Sequence, residues 1–306
     1  MAQKRRKPGS VYFTSVARTG EDAVILTGNY YALEESPETR TALISLRQGA
    51  WRTLNISGIA HCVRLASQPG ASSRQYVVLE RNRGLYWVAP PREVRFERVH
   101  QERRGFLMDL RNIGGSWYAV GGHHQIYRLN GRRWTSLDSG IYEAGDAGEA
   151  KNLLSIHGSS PSNIYTVGLN GVIYHSDGRR FSRQDSPTNC GLQRVLCVSP
   201  NEVYLCGYAN SLYRGNTDGW EALSEPDEEI IFWDMAYFQG KVYVCTKRAL
   251  FVLERNQLRP VEIPVDGPLG FYRMDCDEDE LWTCGNECVL RFDGRRWRQY
   301  VFPENE

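Results

Sequence analysis

The sequence predicts an all-β chain folded as a seven-bladed β-propeller of four-stranded antiparallel blades. Three observations lead there. A motif of apolar strand, glycine, Ile/Leu-Tyr pair and aromatic anchor recurs at near-constant spacing. Gly-containing hairpin turns stand at the same place in several copies. Aromatics make up 11% of the 306 residues, while long runs at helical spacing are scarce.

The clearest copy spans 163–181, with Ile164-Tyr165, Gly168, Ile173-Tyr174, Asp177-Gly178 and Phe181. The same order appears at Trp117-Tyr118, Gly121, Ile126-Tyr127, Asn130-Gly131 and Trp134. It returns at Val203-Tyr204, Gly207, Leu212-Tyr213, Asp218-Gly219 and Trp220, and at Leu281-Trp282, Gly285, Val289-Leu290, Asp293-Gly294 and Trp297. Weaker copies lie around Val24, Gly28 and Trp51, around Tyr76, Leu85-Tyr86 and Phe96, and around Val242, Leu250-Phe251 and Leu258. The seven anchors Trp51, Phe96, Trp134, Phe181, Trp220, Leu258 and Trp297 fall roughly 38–47 residues apart, close to the length of one propeller blade. An apolar stretch precedes each copy, at 11–17, 60–66, 105–110, 152–157, 193–198, 230–236 and 271–276, and reads as the innermost strand a. Strand b ends at the glycine, strand c holds the Tyr pair and strand d holds the anchor. Because residue 11 already begins a strand a, the ring is expected to close without exchanging a strand between its first and last blades.

Residues 1–10 read as a disordered basic tail and residues 11–306 as one seven-bladed propeller domain. The tail carries Lys4, Arg5, Arg6 and Lys7 but no apolar core of a secretion signal. No run approaches the ~18 apolar residues of a spanning helix. The net charge of +1 points to neither nucleic acid nor an anionic membrane as partner. The Arg132-Arg133, Arg179-Arg180 and Arg295-Arg296 pairs read as charged edges that discourage sheet-to-sheet association. Of eight cysteines, Cys62, Cys197 and Cys276 fall in strands a, and Cys206, Cys245 and Cys284 in the strands after them. Such positions suit buried free thiols, and a reduced, cytoplasmic, monomeric protein is expected.

The segment 160–181 resembles bacterial propeller repeats of the form S-x-x-D-V-W-A-V-G-x-x-G-x-I-x-H-Y-D-G-x-x-W, related loosely to the BNR and photosystem-assembly (Ycf48-like) propellers. The resemblance extends over most of the chain as a repeat pattern. It implies the fold and leaves function open, since such scaffolds host many roles. Repeated Gly-His and Trp-Asp pairs of WD40 repeats are missing, and no sialidase active site carries over.

Two functional readings follow. Lining up the strands a puts Ser15, Arg64, Asp109, Ser155, Cys197, Asp234 and Asp275 at one level of the axis. Arg64, Asp109, Asp234 and Asp275 are thus candidates for an axial hydrolase or lyase site with oxygen ligands, or for hydrogen-bonded ties between blades. His123-His124 and the Cys284/Cys288 pair lack the companions a metal site needs, so no cofactor or metal is expected. The favoured reading is a non-enzymatic protein-interaction module: a scaffold, an adaptor or a toxin-neutralising immunity protein. Loops joining strands b to c and d to a share one face, and there the longest acidic insertions gather. They carry Tyr30, Tyr31, Glu34, Glu35 and Glu38, then Tyr142, Glu143, Asp146 and Glu149, then Asp227, Glu228 and Glu229. Tyrosine beside carboxylates suits a protein interface that steers a basic partner.

Overall fold

The computed structural model describes residues 6–66, 75–82, 84–89, 93–99, 104–143, 151–267 and 269–306. Seven sheets of four antiparallel strands follow one another along the chain, each built from four consecutive strands. The innermost strands a are Val11–Gly20, Ala60–Leu65, Leu107–Ile113, Leu153–Ser160, Leu192–Ser199, Asp234–Phe238 and Arg273–Cys276. All seven anchors lie in strand d of their blade.

Apolar packing is divided among seven clusters, each shared by two adjacent blades. The reason is the pleat. A strand inside a blade buries both faces, one against each neighbouring blade, so its residues are mostly apolar rather than alternating. Strand b of blade two, Tyr76–Glu80, is buried at every position.

A bulge sets strand a against strand b. The register skips Thr14, His61, Met108, Leu154 and Gln193 in blades one to five. Beside the bulge, strand a comes so close to the end of strand b that a Cβ there would meet a backbone oxygen. At Gly121, Gly168 and Gly207 that distance would be 2.1 Å, to Phe106, Asn152 and Gly191 respectively. The repeated glycine of the motif is therefore a close-approach residue. The c–d turn glycines Gly131, Gly178 and Gly294 hold φ of 61°, 92° and 88°. In two of these turns the Asp preceding the Gly caps the Arg pair. Asp177 accepts from the backbone N–H groups of Arg179 and Arg180, and Asp293 from those of Arg295 and Arg296.

The ring closes between blades seven and one with no strand exchanged, as expected. Phe13 and Asn286 form an isolated bridge, with Phe13 N–H donating to Asn286 O at 2.7 Å. Arg18 donates to Glu280 and ion-pairs with Asp277, while Glu280 also accepts from Asp22 N–H and Arg291. Val11, Phe13, Trp282, Tyr300 and Phe302 fill the seam. Residues 1–5 of the expected tail lie outside the described residues. Residues 6–10 run along this seam: Arg6 pairs with Glu287, Lys7 donates to Pro303 O, and Ser10 donates to Glu304 O.

Candidate functional site

The strand pairing corrects the expected axial level. In every blade one strand-a residue pairs with the residue just before the position of the repeated glycine, which is Gly28, Glu80, Gly121, Gly168, Gly207, Thr246 and Gly285 in chain order. The strand-a residues are Ser15, Cys62, Asp109, Ser155, Arg194, Asp234 and Arg273. Arg64 and Asp275 stand two positions further along, and Cys197 three positions beyond Arg194. The second level is Ala17, Arg64, Arg111, His157, Leu196, Ala236 and Asp275. The expected alignment followed the apolar runs, and those do not report a one-residue bulge that changes which residues are level.

The carboxylates on both levels are engaged in joining blades. Asp109 accepts from Leu110 N–H and Arg64 on Oδ1, and from Ile156 N–H of the next blade on Oδ2 at 3.1 Å. Asp234 accepts from Met235 N–H and Arg194 on Oδ1, and from Met274 N–H of the next blade at 2.9 Å. Ser15 and Ser155 make the equivalent tie to Val63 and Val195. On the second level Asp275 accepts from Arg18 N–H at 2.7 Å and His157 Nδ1 from Cys197 N–H at 3.1 Å. Burial raises the Asp109 carboxyl, but Arg64, Arg194, Arg111 and the Ile156 N–H outweigh it and hold it at about 2. Asp275 is raised by burial, which exceeds the opposing effects of Arg18 N–H, Arg64 and Arg111. Arg111, Arg194, Arg273, His61 and His157 escaped the sequence reading. The strand-b glycine, used as a ruler instead of the apolar run, would have found the three arginines.

Among the described residues no group of three or more His, Cys, Asp or Glu side chains is placed to hold a metal. His123 and His124 both adopt left-handed φ, near 57°. His123 Nδ1 meets Glu143 O, and His124 Nδ1 meets the Tyr174 hydroxyl. Cys284 and Cys288 are buried free thiols.

On the loop face the structure separates free acids from engaged ones. Tyr31 lies under the Arg6 guanidinium and Tyr142 under Arg104, each 3.7 Å from the ring centre. Burial, with Glu287 beside it, pushes the Tyr31 hydroxyl up to about 12. Tyr30 donates to Asn55 Oδ1. Glu143 pairs with Lys151 at 2.5 Å, and Glu38 approaches Arg40 at 4.0 Å. These tyrosines and Glu143 are thus largely satisfied within the chain. Glu34, Glu35, Asp227, Glu228 and Glu229 are exposed and form no ion pair among the described residues. Asp146 and Glu149 lie outside the described residues. The 224–229 loop is braced from beneath: Asn210 donates to Glu225 O, Ser224 to Asn210 O, and Asp227 caps Glu229 N–H. The other face is mixed rather than uniformly basic, since Glu278 and Asp279 are exposed there beside the Arg pairs.

Three comparisons bear on this arrangement. The chain is 30% identical over 195 residues to the Immune protein Tsi7 of Pseudomonas aeruginosa, covering 63% of this chain and 64% of that protein. The match therefore spans just under two thirds of the relative's own length. A virginiamycin B lyase from Staphylococcus aureus superposes with a TM-score of 0.69 at 10% identity, over 93% of this chain and 94% of its own. YCF48 from Cyanidioschyzon merolae superposes with a TM-score of 0.67 at 10% identity, over 98% of both chains. The two structural likenesses establish the propeller fold alone. No protein-family model matches the chain.

Proposed function

We propose that this chain is a non-enzymatic, protein-binding propeller of the immunity kind, which neutralises a toxin protein by binding it. The observation that carries the reading is the 30% identity to the Immune protein Tsi7. The geometry supports it from two sides. Asp109 and Asp234, two of the axial carboxylates that an enzyme reading needs, already spend their oxygens on backbone N–H groups and arginines. The loop face offers unpaired carboxylates on a braced scaffold, which suits capture of a basic partner. The contact surface centres on Glu34, Glu35, Asp227, Glu228 and Glu229, with the protein monomeric and cytoplasmic until the partner arrives.

The test is a tagged pull-down from the native host with mass spectrometry, run beside a variant carrying Lys at those five positions. The expected result is a stoichiometric protein, lost from the variant, that arrests growth when expressed alone and not when expressed with this chain. A co-purified protein without toxicity reduces the reading to an adaptor. Absence of any partner in both samples overturns it.

A further inference from the structure

Independently of the loop face, the second axial level carries more cation than its carboxylates use. Three consecutive blades place Arg64, Arg111 and His157 at one register. Arg64 is fully engaged: its Nε donates to Leu110 O, Nη1 to Val63 O and Nη2 to Asp109. Arg111 is not. Among the described residues its side chain makes no hydrogen bond and no ion pair, and its Nε is shielded from water without a partner. It lies close enough to the axis to feel Asp275 and Asp234 across the ring, and it is repelled by Arg64. Burial and that repulsion both disfavour its charge, yet a guanidinium does not give up its proton in a protein. Asp109, Asp275 and Asp234 favour its charge at a distance, but none of them accepts a hydrogen bond from it. Both oxygens of Asp109 are taken, and Asp275 stands on blade seven holding Arg18 N–H.

His157 supplies the second donor. Its Nδ1 accepts from Cys197 N–H, so in the neutral ring the proton sits on Nε2. Burial, with Arg111 beside it, lowers this imidazole to about 3, so the ring is neutral at physiological pH. The Nε2–H has no acceptor among the described residues. Both residues nevertheless keep part of their surface accessible to solvent.

We propose that the axial channel binds a small oxyanion, a phosphate or a carboxylate, between the Arg111 guanidinium and the His157 Nε2–H. The planar fork of arginine matches two oxygens of either group. An unpaired buried donor costs stability unless a ligand or water satisfies it, and an anion cancels the repulsion between Arg111 and Arg64 as well.

The experiment is isothermal titration calorimetry of the full chain with inorganic phosphate and, separately, with acetate, at constant ionic strength. Wild type is expected to bind one equivalent of at least one anion. Arg111→Met weakens binding at least ~10-fold, the loss of one charge-assisted contact, and His157→Gln weakens it by a smaller factor. Binding of phosphate alone assigns a tetrahedral ligand, and binding of acetate alone assigns a carboxylate. A thermal melt without anion separates this role from a structural one: Arg111→Met melts no lower than wild type, because it removes an unpartnered charge. No binding of either anion at millimolar concentration overturns the proposal. So does unchanged affinity in Arg111→Met, or a lower melting temperature for that variant.

Discussion

The Asp109 carboxylate accepts the backbone N–H of Ile156 at 3.1 Å across the boundary between blades three and four. Its other oxygen holds Arg64 of blade two at 3.0 Å, so one side chain joins three blades. Removing it leaves the buried Arg64 guanidinium without its carboxylate and the buried Ile156 N–H without an acceptor. Asp109→Ala is expected to lower stability by about 3–5 kcal/mol, the cost of breaking a buried pair from one side. Asp109→Asn keeps one acceptor for Ile156 and costs less. Urea denaturation decides this, and equal midpoints for wild type and Asp109→Ala would remove the three-blade tie from the account.

Acid should weaken the ring in two stages. His61 and His157 are pushed down by burial to about 4 and about 3, with neighbouring arginines adding to the effect. Their unfolded forms take up protons near 6.5 while the folded forms do not, so stability falls as pH drops below about 6.5. Asp109, held at about 2, adds stability that is complete above its unfolded value and is lost as pH falls toward 2. Melting temperatures from pH 7.5 to 4 should therefore decline, and the His61→Gln/His157→Gln double variant should decline less. An equally steep decline in that variant would place the acid sensitivity elsewhere.

How much was legible follows from these same residues. The anchors and the c–d glycines mark local events, an aromatic in strand d and a turn with positive φ, and each leaves its own residue type in the sequence. Blade count followed from them, and closure from the strand a that begins at residue 11. The axial levels depend on the skipped residues Thr14, His61, Met108, Leu154 and Gln193 of blades one to five and on the unbroken register of blades six and seven, which no shared residue type marks, so Arg64, Cys197 and Asp275 were placed at the wrong level. The loop face was legible as charge but not as pairing. Nothing in the sequence says that Arg6 and Arg104 cover Tyr31 and Tyr142, because those contacts join residues far apart in the chain or across a turn.

The seam between the first and last blades rests on a few late contacts. Asn305 accepts Val11 N–H at 2.9 Å and donates to Val11 O at 3.0 Å. These bonds continue blade one's edge where no exchanged strand covers it. Asn305→Ala should cost about 1–3 kcal/mol, two net hydrogen bonds at a partly buried site. The check is the chemical-denaturation midpoint, with Asn305→Asp as a companion that retains the acceptor for Val11 N–H. An unchanged midpoint for the alanine variant would mean that the apolar seam of Phe13, Trp282 and Phe302 closes the ring unaided.

The final prediction separates steering from folding. Asp227, Glu228 and Glu229 are exposed, unpaired and carried on a loop whose brace is made by Asn210 and Ser224. Asp227 also caps Glu229 N–H, so Asp227→Asn, combined with Glu228→Lys and Glu229→Lys, keeps that acceptor while changing the local charge. Stability should stay within about 0.5 kcal/mol of wild type, as for surface changes that touch no special feature. Association with a basic partner should slow about tenfold or more at low salt, and much of its salt dependence should vanish. Glu278→Lys/Asp279→Lys, on the opposite face, serves as the control for long-range charge. Stopped-flow association at two ionic strengths distinguishes the outcomes. Equal slowing in both variants assigns the effect to net charge, and slowing confined to the loop variant assigns it to this face.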